Sequence, residues 1–140
     1  MTYSHYHPLT VHFPIALLIA GFVYDAITLF FCKDHKLSKA GLYLMVLGTL
    51  GAFAAYLTGE YFTFEMDGPA GEKKEEHELY AKITMWFMLA VSVLRVYVTW
   101  KKKEQSGLKW LIFVLFACGA GLVGFTGYLG GSLVYDVLLP

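Results

Sequence analysis

The residues best suited to chemistry are three histidines. His7 and His12 stand in His7-Pro8-Leu9-Thr10-Val11-His12-Phe13-Pro14, and His77 in His77-Glu78-Leu79, each at the edge of a long apolar run. Polar side chains at membrane depth are costly and usually turn out to be paired or functional. Imidazole nitrogens bind haem iron, copper and zinc. Two imidazoles from opposite helices of a four-helix bundle can serve as the axial pair of a haem b whose macrocycle the bundle holds. The surroundings suit that expectation. Gly124, Gly127 and Gly131 give close access to a helix, and Phe13, Phe62, Phe64, Trp86, Phe87, Phe125 and Tyr128 offer apolar or aromatic walls. Lys82, with Lys73 and Lys74, supplies cations for the propionates.

His7 and His12 are five residues apart, which on a helix is about 140° of rotation and about 7.5 Å of rise. They face different partners, and either one can pair with His77. A copper or zinc site built from the three imidazoles and nearby carboxylates is an alternative, although no H-E-x-x-H spacing is present. Cys32 and Cys118 form neither C-x-x-C nor C-x-x-C-H, which removes a thiolate zinc site, a disulfide framework and covalent haem attachment. They read as buried, inert thiols. No serine sits in a nucleophile elbow, so hydrolytic chemistry has no support, and an electron carrier or subunit is favoured over a stand-alone enzyme.

The elements that must position these groups follow from composition. Hydrophobic residues make up 57% of the 140-residue chain and charged ones 16%, against roughly 25% charged in a soluble domain. Residues 13–32, 40–59, 83–100 and 110–135 approach or exceed the roughly 20 apolar residues that cross a bilayer. In lipid each backbone must satisfy its own hydrogen bonds, which helices do within one segment. The expectation is an all-α bundle of four transmembrane helices, near 8–32, 39–61, 77–100 and 108–133, forming one membrane domain over 1–140. Formal net charge is zero, so no global field calls for nucleic acid.

Eight of the eleven Lys and Arg residues flank the first and third connections, and only Lys73, Lys74 and Lys82 flank the second. Because basic residues are retained on the cytoplasmic side, both termini are expected outside. The opening residues lack the basic region and cleavage site of a removable signal peptide. Glu60, Glu65, Asp67, Glu72, Glu75, Glu76 and Glu78 make the outer connection acidic, which favours a basic soluble partner there.

The halves of the chain echo each other. At an offset of 68, Gly51-Ala52 and Thr58-Gly59 recur as Gly119-Ala120 and Thr126-Gly127; at an offset of 70, His7 falls on His77 and Asp25 on Arg95. Two similarly oriented helical hairpins related by a pseudo-two-fold axis are the expected architecture. Asp25 and Arg95, the only charges deep in the spans, lie 18 residues beyond His7 and His77, about 27 Å along a helix. A structural ion pair between the first and third helices is the economical expectation.

The opening His7-Pro8-Leu9-Thr10-Val11-His12-Phe13-Pro14-Ile15-Ala16-Leu17 and the closing Thr126-Gly127-Tyr128-Leu129-Gly130-Gly131-Ser132-Leu133-Val134-Tyr135 resemble a widespread bacterial family of small, largely uncharacterised four-helix membrane proteins. Some members are fused to Rieske or cytochrome c domains, so the resemblance implies redox work on the outer side and b-type haem. Family members often carry a His-Gly soon after the tyrosine; here Asp136 and Val137 follow Tyr135, and that later ligand is lacking. The combined expectation is a haem b electron-transfer protein of the bacterial inner membrane. It would act alone, as a homo-oligomer, or within a larger respiratory or photosynthetic complex, with a cofactor-free structural subunit as the alternative.

Overall fold

The computed structural model describes residues 6–62, 67–103 and 107–138. Four helices occupy most of these: α1 (Tyr6–Phe31), α2 (Lys39–Phe62), α3 (Pro69–Trp100) and α4 (Leu108–Ser132), with a π-helical segment, Leu133–Leu138, running on from α4. No strand occurs among the described residues. All four helices are long and apolar enough to cross a membrane. Of an 18-residue apolar stretch in each span, only 28% to 39% is buried within the bundle. The apolar remainder, including Leu50, Val93 and Val114, points outward, which suits lipid and not water.

Three helices begin and end within two residues of the expected bounds, the range over which helix ends fray. The third differs. It starts at Pro69, eight residues before position 77, so His77 lies two turns inside the helix instead of opening it. Gly68 adopts φ 67° immediately before a proline in the first turn, a conformation glycine reaches without a Cβ penalty. Glu72 in that turn complements the helix dipole, and Lys74 and Glu78 form an i,i+4 ion pair. Charge hid these turns from an apolar-run reading. At 32 residues α3 is about 48 Å long, so it overshoots a hydrocarbon core of about 30 Å.

The connections are too short to carry the chain back across the bundle, so consecutive helices run antiparallel and α1 and α3 run in the same direction. α1 packs on α2, α3 on α4, α2 on α3 and α1 on α4. That order sets α1 and α3 on one diagonal of the square. At its centre Leu18, Met45, Met88, Val91, Phe116 and Val123 form the main core; Leu37, Val98 and Ile112 form a second cluster nearer the 32–38 connection.

The two hairpins repeat each other's contacts. A Cβ on Gly48 would strike Leu18, and one on Gly119 would strike Met88; a Cβ on Gly59 would press on His7, and one on Gly130 on His77. The α1 and α3 partners are 70 residues apart, but the α2 and α4 glycines are 71 apart, not 68. The two registers differ by three residues, nearly one helical turn. Matching dipeptides therefore fall on nearly the same face and imitate a register that the contacts do not use.

Candidate functional site

At the end of the bundle where α1 and α3 begin, His7 and His77 meet across the diagonal. Their ring centroids are 6.1 Å apart and their planes cross at 71°. His7 Nδ1 lies 3.1 Å from the Ala55 carbonyl and 3.2 Å from Thr58 Oγ1. His77 Nδ1 lies 3.2 Å from the Thr126 carbonyl. A carbonyl oxygen only accepts, so in each neutral ring Nδ1 carries the proton and Nε2 keeps its lone pair. The Thr58 hydroxyl also donates to the Ala55 carbonyl, and Thr10 Oγ1 lies 2.9 Å from Thr58 Oγ1. In the other hairpin Thr84 and Thr126 hydroxyls are 2.9 Å apart. Each imidazole is thus fixed by the neighbouring helix of its own hairpin.

Glycine makes that approach feasible. A Cβ at Gly59 would stand 3.0 Å from His7 Cε1, and one at Gly130 would stand 3.0 Å from His77 Cε1. Burial pushes the His7 pKa below its ordinary 6.5, and the neighbouring His77 lowers it further. The Ala55 hydrogen bond and the Glu78 carboxylate oppose that shift without reversing it. His7 is therefore neutral at pH 7, the form that binds a metal.

The remaining expected site residues fall elsewhere. His12 is exposed, away from the face of α1 that carries His7. Lys82 is exposed too, whereas Lys74 is 8% exposed, with Nζ 3.0 Å from Glu78 Oε1. A Cβ on Gly124 or Gly131 would meet nothing, and one on Gly127 would meet Ile15 Cδ1 at 3.2 Å, so these three glycines do not seat the imidazoles. Phe13, Trp86, Phe125 and Tyr128 point outward as well. Phe87 packs against the main core, while Phe64 and the Phe62 side chain lie outside the described residues. Both cysteines are exposed, which corrects the expectation of buried thiols; in lipid an apolar thiol loses nothing by facing out. The glycines that do meet the imidazoles carried one sequence signal: Gly59 follows His7 by 52 residues and Gly130 follows His77 by 53.

Toward the other end, Asp25 and Arg95 meet across the same diagonal. Arg95 Nη1 donates to Asp25 Oδ2, and Nη2 lies 2.8 Å from Oδ1 and 2.7 Å from the Ser38 carbonyl. Ser38 N–H donates to Asp25 Oδ1 at 2.9 Å. Gly41 leaves the space that Asp25 occupies, since any Cβ there would collide with the carboxylate. Among the described residues no buried side-chain polar atom lacks a partner. Such a fully matched pair serves as glue between helices.

A four-helix membrane bundle with one closed ionic crossing and one half-open imidazole crossing is the class of protein these features define. The chain belongs to the family described as predicted membrane protein (DUF2231), which matches residues 4–139. Neither the curated proteins nor the solved structures include a match to it.

Proposed function

We propose that this protein binds a haem b between His7 and His77 and passes single electrons at that end of the bundle. The observation that carries the reading is the pair of imidazoles, 6.1 Å apart at their centroids, each with Nδ1–H spent on a carbonyl. Two imidazoles that each bound one shared metal at about 2 Å would need ring centres about 6 Å apart. Metal-binding histidines characteristically donate their other nitrogen to a carbonyl or carboxylate, which fixes the tautomer and makes the ligand more basic. Two imidazoles from opposite helices would hold a haem iron of the electron-transfer kind.

The bound group supplies reversible one-electron chemistry at its iron. The chain's own residues do the rest. Ala55, Thr58 and Thr126 orient the rings; Gly59 and Gly130 admit them; burial keeps His7 unprotonated. The distribution of Lys and Arg supports an orientation with the histidines at the outer leaflet of a bacterial inner membrane, both termini outside. The acidic second connection then favours a basic redox protein, or a neighbouring subunit of a respiratory or photosynthetic complex, as electron partner.

Purified in detergent, the wild-type protein is expected to show a Soret band and a sharp reduced α-band. H77A and H7A should lose them and H12A should keep them, with membrane insertion unchanged in all three. A colourless protein that carries copper or zinc by elemental analysis, or H7A with unchanged haem content, overturns the assignment. A second reading, a cofactor-free structural subunit, draws support from the unfilled α4 surface at Gly121, Gly124 and Gly131, where a partner helix could pack closely. Colourless, metal-free protein favours that reading.

A further inference from the structure

Resting on the haem reading, we infer that Lys74 is the receptor for a carboxylate of the bound porphyrin. Lys74 lies three residues before His77, one turn along α3 toward its start, with its side chain turned into the bundle and only 11% exposed. A cation so poorly solvated needs an anionic partner. In this structure the partner is Glu78, at 3.0 Å, whose own side chain is 43% exposed and is free to return to water. Glu78 is thus a resident counterion that a bound carboxylate can replace.

The placement also suits the group's shape. A macrocycle held by His7 and His77 would lie at the end of the bundle where α3 begins, on the side from which Lys74 approaches. Its acidic edge is the part that must reach water or a cation. Lys74 is the buried cation among the described residues on that side of His77. Lys82, which lies on the other side of His77 along α3, is exposed.

The test compares haem with haem dimethyl ester, in which both carboxylates are masked, by Soret titration of the detergent-purified apoprotein. Wild type should bind haem roughly tenfold or more tightly than the ester, the scale of one charge-assisted hydrogen bond. K74M should bind the two equally and hold the ester as well as wild type does, which also shows that it is folded; K74R should restore the preference. K74Q serves in place of K74M if the latter does not fold. A K74M protein that keeps the full preference for haem, or a wild type that shows none, overturns the inference while leaving haem binding in place. A wild type that develops no Soret band with either compound removes the haem reading and this inference together.

Discussion

Asp25 and Arg95 cross the α1–α3 diagonal near one end of the bundle, and His7 and His77 cross it at the other. The two pairs share one sequence offset, but they differ in what they leave over. The ionic pair uses its hydrogen-bonding capacity internally, on itself and on Ser38, and is closed to solvent. The imidazole pair spends Nδ1–H of each ring on a backbone carbonyl, which leaves the lone pair on Nε2. A site whose groups are all matched from within has nothing to offer a ligand. One that withholds a lone pair on each partner can act. Between them Leu18, Met45, Met88 and Phe116 are fully buried, with one buried hydroxyl pair, Thr49 and Ser92 at 2.8 Å, set among the same helices.

Breaking the ionic crossing should have the largest effect. D25A or R95A strands a buried charge and should cost about 3–5 kcal/mol in denaturation measured in detergent. The double reversal, D25R with R95D, should recover part of that loss. A double variant as damaged as both singles combined would show that the residues do not act as a pair.

The notch at Gly41 extends the comparison. G41A should lose about 1–3 kcal/mol, because its methyl group collides with the Asp25 carboxylate. G121A, where a Cβ meets nothing, serves as the matched control and should be neutral within about 0.5 kcal/mol. Equal stability of the two variants would count against the close packing described around Asp25.

At the histidine crossing, G59A and G130A each place a Cβ 3.0 Å from an imidazole carbon. Both should weaken haem binding roughly tenfold through misplaced ligands, with a smaller thermal cost than G41A. Haem titration beside melting curves separates the two effects; a larger thermal loss than in G41A would make these glycines structural instead.

The smallest effect concerns pH. The His7 pKa is lowered from 6.5, so the unfolded chain takes up a proton at this site before the folded one does. Stability from this group is complete above about pH 6.5 and declines as pH falls toward the lower folded value. Apoprotein melts between pH 7 and pH 5 should slope downward, and H7N should flatten part of that slope. An unchanged slope in H7N would place the titration at another group.

The four spans were legible because each is an apolar run with polar flanks. The ionic crossing was legible too, since two lone charges in apolar helices have few other partners to choose. The start of α3 was not, because Glu72, Lys74 and Glu78 read as a loop when hydropathy is the guide, although Gly68-Pro69 marks a helix start. That His77 finds His7 instead of His12 depends on which face of α1 turns inward, which the sequence left open. The carbonyls of Ala55 and Thr126 carry no residue-type signature at all. That Gly130, and not Gly124, Gly127 or Gly131, meets an imidazole was hidden for a related reason: a helix bearing glycine on several faces does not reveal which of them meets a neighbour.

Equivalent positions with opposite charge have a consequence for how the membrane protein assembles. Two copies of the first hairpin, packed as the halves pack here, would bring aspartate against aspartate within lipid, and two copies of the second would oppose arginines. Only the mixed combination is neutral. The ionic crossing therefore discriminates between like and unlike pairings of the halves, whereas the histidines, identical in both, do not.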